Sequence, residues 1–299
     1  MGCRYRPSVA FLPVDGPFDL ALTTARFRAF GSDRASFWHE AGSVVGAADD
    51  ARPETGDASG APGGALYRAV GGREVRIEAA RGGVEVEPLD AETEPVVRKL
   101  LGLEFDLEAF YAWASTHPQL GPLALRFAGF RPALAPDPFE ALVTSITAQQ
   151  VSLSSAAAIR NRLVEHFGER VGLAWAFPGR ERLAAASEDE LVVVGFSRRK
   201  AEYVVGLARS DLDLAALAAL PDEEVKARLV GVRGLGEWSA DWFLARHLAR
   251  PHAWPAGDLA LRKAVAALYG DVDVRAAGVR FEPFENLSAH YLLAQFLIP

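Results

Sequence analysis

Between residues 65 and 87 apolar and charged positions alternate with a period of two. Ala65-Leu66-Tyr67-Arg68-Ala69-Val70, Arg73-Glu74-Val75-Arg76-Ile77-Glu78 and Val84-Glu85-Val86-Glu87 are separated by Gly71-Gly72 and by Arg81-Gly82-Gly83. That is the pattern of an antiparallel meander with one face in a core and the other in water. From about Glu92 the period becomes that of helices. Amphipathic segments divided by Gly, Pro and capping residues place helices at 107–116, 138–148, 153–167, 180–186, 188–194, 198–209, 222–229, 237–248, 259–269 and 285–297. The expected fold class is α+β: a small N-terminal α/β domain with an antiparallel sheet over 1–100, then an all-helical domain over 101–299. The changeover falls within 88–105. Segment 46–64 is so rich in Gly, Pro and Asp that it can bury little, and it reads as a long surface loop.

Composition narrows the function. A chain of 299 residues, 50% hydrophobic and 24% charged, has material for about two domains and is not disordered as a whole. Its net charge of −7 hides no basic domain, so any grip on nucleic acid must be local. The one cysteine, Cys3, excludes an internal disulfide, a Cys-ligated zinc site and an iron–sulfur cluster, and fits a cytoplasmic location. No apolar stretch suits a signal peptide or a membrane span. The six histidines show no metal-ligand spacing.

The chemistry concentrates in Leu229-Val230-Gly231-Val232-Arg233-Gly234-Leu235-Gly236-Glu237-Trp238-Ser239-Ala240-Asp241-Trp242-Phe243. Two helical segments meet at Gly-Leu-Gly, where glycines allow a tight turn and close backbone approach. The second helix opens at that turn with unpartnered N–H groups and the positive end of its dipole, which is a phosphate site without side-chain charge. Trp238 and Trp242, at i and i+4, share one face of this helix. Downstream, the loop Ala253-Trp254-Pro255-Ala256-Gly257 delivers Asp258 to the head of another helix. An aspartate there is by default an N-cap. Arg198-Arg199-Lys200 suits DNA phosphates or a solvated helix start equally.

In this order, the residues resemble the helix-hairpin-helix DNA glycosylases, and most closely the 3-methyladenine DNA glycosylase II (AlkA) type. That family carries Gly-apolar-Gly, then x-Trp-Thr-Ala, then a catalytic aspartate about a score of residues after the Trp. Here Gly234-Leu235-Gly236-Glu237-Trp238-Ser239-Ala240 is followed by Asp258, 20 residues after Trp238. Pro17-Phe18-Asp19-Leu20, Asp137-Pro138-Phe139-Glu140-Ala141-Leu142, Ile146-Thr147-Ala148-Gln149-Gln150-Val151-Ser152 and Gly195-Phe196-Ser197-Arg198-Arg199-Lys200-Ala201 look like the family too. The resemblance implies that Asp258 is the catalytic carboxylate. Trp238 and Trp242 become walls of the base pocket, and Gly234 and Gly236 supply backbone phosphate contacts. Gln150 is the wedge that fills the space of an extruded nucleotide, and Arg233, Gln149 and Ser239 lie at the DNA surface.

The implied partner is double-stranded DNA containing damaged bases, bound by a monomer that contacts no membrane. The implied activity is hydrolysis of the N-glycosidic bond of alkylated purines. No metal or other cofactor is implied, with a structural monovalent cation at the hairpin left open. Trp238 stands where strand-nicking relatives have a Schiff-base lysine, and this points to a monofunctional enzyme. The carboxyl-terminal stretch departs from the family's Trp-x-Pro-Trp-Arg-Ser: the chain has Phe281-Glu282-Pro283-Phe284-Glu285-Asn286. Leu293 stands where a later pocket Trp is expected, and Phe296 is the substitute ring. The alternatives are an oxidised-purine (8-oxoguanine-type) glycosylase and a non-catalytic DNA-binding protein that kept the hairpin.

Overall fold

Residues 9–41 and 63–298 are described by the computed structural model; Cys3 and all of the 46–64 segment except Gly63 and Gly64 lie outside them. The alternating stretches form the middle of a five-stranded antiparallel sheet. Its strands are β1 (Ala10–Pro13), β2 (Ser36–Glu40), β3 (Gly64–Val70), β4 (Arg73–Ala80) and β5 (Gly83–Glu87), in the spatial order β1-β5-β4-β3-β2. Register pairs Leu66 with Ile77 and Ile77 with Val86, so the inward positions form one row while their charged neighbours face outward. The short helix α1 (Leu20–Thr24) is capped by Asp19, and Val97 and Leu100 of α2 (Thr93–Leu100) close the sheet's core. The edge strands β1 and β2 escaped the periodicity because each has only four or five residues and pairs with a strand far along the chain.

A second core gathers around the helices α3 (Leu107–Ala114), α4 (Leu120–Arg126), α5 (Pro138–Ala148) and α6 (Leu153–Phe167). The run of helices is then broken by a hairpin of β6 (Glu169–Val171) and β7 (Ala174–Ala176), which turns at Gly172 with φ +65°. The all-helical expectation is corrected here: the backbone N–H of Trp175 donates to Arg34 O at 2.9 Å, so the hairpin docks on the sheet domain. The helices α7 (Arg180–Ala184), α8 (Glu188–Val193), α9 (Arg198–Arg209), α10 (Asp222–Val230), α11 (Glu237–Arg246), α12 (Leu259–Tyr269), α13 (Val274–Ala277) and α14 (Glu285–Leu297) complete the chain. Local chemistry sets their starts, because Asp137, Ser152, Ser187, Ser197 and Asp258 each accept a hydrogen bond from the first turn of the helix they precede.

The two cores are joined by charge as well as by packing. Glu140 of α5, only 4% exposed, is paired with Arg68 from β3 and with Arg160 from α6 at 2.6 Å, and Arg160 also reaches Asp33 at 2.6 Å. Burial opposes the charge of Glu140, but Arg68 and Arg160 outweigh it and hold the carboxyl below its usual range. Arg131 adds a second tie, donating to Phe105 O at 2.7 Å and to Asp15 O at 2.6 Å. Among the described residues no helix is long and apolar enough to cross a membrane.

Candidate active site

The turn between α10 and α11 needs its glycines for two different reasons. Gly234 has φ +98°, and a Cβ on it would run into the ring of Tyr203 on α9. Gly236 is the N-cap residue of α11 and carries no side chain to cap it, and a Cβ there would meet open space. The start of α11 is therefore uncapped from within, with its amides available to an anion. Leu235 is buried in the helical core and pins the turn from below.

The turn is also buttressed from α5. Gln149 Nε2 donates to Gly234 O at 2.8 Å, and Ser145 Oγ donates to Ser239 Oγ at 2.9 Å. The expectation that the side chains of Gln149 and Ser239 lie at a DNA surface is corrected by these contacts. The Ser239 hydroxyl is buried and bonded within the fold, and the Gln149 amide is committed to holding the hairpin. Gln150, next in the chain, is different: it is exposed and held in the left-handed region with φ +53°. Arg233 is exposed and sits 5.8 Å over the Tyr203 ring, with Glu202 3.1 Å away.

Asp258 is both a cap and the centre of the site. Its Oδ1 accepts from the backbone N–H groups of Ala260 (2.9 Å) and Leu261 (3.0 Å) at the head of α12. Its Oδ2 accepts from Trp238 Nε1–H at 2.9 Å and Trp242 Nε1–H at 3.0 Å. Four N–H donors thus fix both oxygens, and the one-turn spacing of the tryptophans brings both indoles to a single atom. The loop before Asp258 is anchored by Trp254, which stacks on Phe281 at 4.8 Å and donates to Val274 O at 2.8 Å. A carboxylate held this way can stabilise positive charge developing on a sugar and orient water toward it.

The pocket side of α11 differs from the sequence reading. Trp242 is 5% exposed, and the guanidinium of Arg246, one turn further along, lies 3.7 Å over its ring. Burial and the neighbouring Arg26 push Arg246 down to about 9 while Asp258 opposes them, so it carries its charge at neutral pH. Of the α14 residues expected in the pocket, Leu293 is packed in the helical core and Phe296 is 54% exposed. The α14 ring set against Trp242 is instead that of His290, at 5.7 Å and edge to face. Burial, and then Arg246, push this imidazole down to about 3 and keep it neutral.

Arg246 follows Trp238 and Trp242 at the same i+4 interval, so the sequence held a signal for it; His290 had none beyond lying on an apolar helix. Glu285, where the family pattern has Arg, is buried and accepts from His252 Nδ1 at 2.9 Å, tying the start of α14 to the segment that leads to Asp258. No three His, Cys, Asp or Glu side chains cluster as a metal site among the described residues.

Residues 143–278 match the model of the HhH-GPD superfamily base excision DNA repair proteins. The matched stretch contains the hairpin, both tryptophans, Arg246 and Asp258. Over that stretch the chain is similar to the HhH-GPD superfamily. It is similar to the DNA-3-methyladenine glycosylase of Bacillus subtilis, with 31% identity over 180 residues, 58% of this chain and 59% of that protein. It is also similar to DNA-3-methyladenine glycosylase 2 of Escherichia coli, with 31% identity over 186 residues, 58% of this chain and 61% of that protein. The chain thus spans about three fifths of the length of each of these relatives. Among solved structures, the 3-methyladenine DNA glycosylase from Archaeoglobus fulgidus shares the fold. Its TM-score is 0.75 at 23% identity, covering 97% of this chain and 99% of that one.

Proposed function

We propose that this protein is a monofunctional DNA glycosylase that hydrolyses the N-glycosidic bond of alkylated purines in duplex DNA and leaves an abasic site. The observation that carries this reading is the Asp258 carboxylate, fixed by two indole N–H groups and two helix amides and joined through α11 to an uncapped hairpin turn. The Bacillus subtilis and Escherichia coli relatives, both named as DNA-3-methyladenine glycosylases, support the substrate class.

In this reading the amides at Gly234–Gly236 take a phosphate of duplex DNA, and the exposed Gln150 enters the space left when the damaged nucleotide is turned out. Extrusion costs a few kcal/mol and is cheapest for a base that already pairs poorly. An alkylated purine is a good leaving group, so the protein's task at the sugar is electrostatic. Asp258 faces the developing oxocarbenium charge and directs water to it, and no general acid is needed.

Strand cleavage through a Schiff base requires an amine at the sugar, and tryptophan occupies the position at 238. Lys263 is exposed on α12, and Lys200 Nζ is bonded to Thr147 O at 2.9 Å. Trp238 is likewise the residue that sets this reading above 8-oxoguanine removal with strand nicking. The proposed chemistry calls for no cofactor, and the location proposed with it is the cytoplasm. The test is to incubate the full chain with methylated duplex DNA and separate released bases by chromatography. Free 3-methyladenine and 7-methylguanine should appear while the strand stays whole until alkali is added. Salt-dependent DNA binding without any free base would overturn the reading in favour of a non-catalytic binder.

A further inference from the structure

Two polar atoms beside the proposed base site lack partners. His290 Nε2 and Arg246 Nε are both buried without a hydrogen bond, and both side chains rest against Trp242. Their situations differ from those of the other two arginines with an unbonded Nε. Arg131 has no hydrogen bond at Nε but uses its terminal nitrogens on backbone carbonyls, and Arg250 Nε lies 3.1 Å from Asp222 Oδ1 while its terminal nitrogen donates to two carbonyls. Among the described residues the Arg246 side chain makes no hydrogen bond or ion pair, and it covers one face of Trp242. A base that stacks near Asp258 must use what Arg246 leaves free of Trp242, and His290 is the other ring there.

The tautomer of His290 follows from its neighbours. Nδ1 lies 2.9 Å from the carbonyl oxygen of Asn286, which can only accept, so Nδ1 carries the hydrogen. The ring is neutral, and Nε2 therefore presents a lone pair. A buried acceptor with no donor is costly, and such a group in a folded protein asks for an explanation that packing does not supply. Phe105, 6.4 Å from His290 and buried, offers no donor from its side chain.

We propose that His290 is a specificity-determining residue of the base site, its Nε2 accepting a hydrogen bond from an N–H on the outer edge of the extruded purine. The inference rests on the glycosylase reading and refines its substrate class. The favoured lesions keep a ring or exocyclic N–H on that edge, and those in which alkylation has removed it are rejected. A site built around a buried acceptor discriminates because the wrong base leaves that acceptor as unpaired as it is in the empty site.

The experiment compares single-turnover base release by the full chain from duplexes carrying one hypoxanthine, which has an N1–H, one 1-methylhypoxanthine, which has none, or one 3-methyladenine. Wild type should release hypoxanthine roughly tenfold to hundredfold faster than its methylated form. His290→Leu, which keeps bulk without an acceptor, should bring the two rates together. His290→Gln, whose carboxamide oxygen restores an acceptor, should keep them apart. Equal wild-type rates on the two hypoxanthines would overturn the proposal, as would release of 3-methyladenine with none of hypoxanthine. So would a wild-type preference that persists unchanged in His290→Leu. If His290→Leu does not fold, the wild-type comparison and His290→Gln decide. Failure of wild type to release any of the three bases would instead defeat the glycosylase reading itself.

Discussion

Trp238 and Trp242 both donate to Oδ2 of Asp258, so each can be replaced by phenylalanine to remove a donor and keep a ring. After one such change the carboxylate retains three N–H bonds, two of them from the backbone of α12, and Asp258 stays seated as a cap. A hydrogen bond to a charged group is worth about 1.5–3 kcal/mol. At 1.36 kcal/mol per factor of ten, a loss felt fully in the transition state lowers the rate roughly tenfold to 150-fold. Each single variant should therefore lose about one to two orders of magnitude in the limiting rate of base release. Because the ring remains, the enzyme concentration giving half that rate should change little.

The double variant leaves Oδ2 with no side-chain donor, and the two effects should not simply multiply, since they act on one atom. Trp242→Phe also loses ring area under Arg246, a cation–π contact of about 0.5–2 kcal/mol, so its thermal midpoint should fall further than that of Trp238→Phe. The assay is single-turnover release of 3-methyladenine with enzyme in excess, followed over a range of enzyme concentrations so that binding and chemistry separate. If both variants keep the wild-type limiting rate and only bind DNA more weakly, the indoles are walls of a pocket and do not hold the carboxylate.

Gly234→Ala should cost about 1–3 kcal/mol in stability from its φ of +98° alone, with the Tyr203 collision in addition. Gly236→Ala should fold with an unchanged midpoint and bind duplex DNA several-fold more weakly, because its Cβ stands where the phosphate approaches; calorimetry and a DNA titration separate the two glycines. Glu140→Gln leaves Arg68 buried without a counter-charge and Arg160 with Asp33 alone, and should destabilise the fold by about 3–5 kcal/mol in urea unfolding. His247 and His290 are pushed down to about 4 and about 3 by burial from an ordinary 6.5. The unfolded chain then binds more protons than the folded one below about pH 6.5. Their stabilising contribution is whole above that pH and is lost as pH falls toward 4 and then 3. Urea midpoints flat from pH 7 to 4 would contradict this.

The order of helices was legible because each long amphipathic segment carries its own cap, as Asp137, Ser152, Ser197 and Asp258 show. The 169–176 hairpin was not, since three-residue strands have no measurable period and this pair depends on docking beside Arg34. At the site, sequence spacing put Trp238, Trp242 and Asp258 together but left the cap and the site as rival readings of Asp258. In the structure Oδ1 takes the α12 amides and Oδ2 the two indoles, so the cap leaves Oδ2 free for the proposed role. Leu293 and Phe296 were assigned by position in a family pattern that this chain does not follow at its carboxyl end. His290 meets Trp242 instead, a contact between helices distant in sequence that no local spacing announces. Gln149 and Ser239 were misplaced for a related reason: polar residues beside a hairpin can face DNA or brace the hairpin, and only their partners distinguish the two.

Asp258→Asn tests, with little change of shape, whether Asp258 performs the chemistry. The substitution keeps one oxygen for the α12 amides and turns an NH2 group toward two indole donors, removing the negative charge and the bonds it receives. Base release from methylated duplex DNA should fall by about a thousandfold or more, with duplex affinity held within a few-fold. Release of 3-methyladenine at the wild-type rate by Asp258→Asn would show that the carboxylate is not the catalytic group.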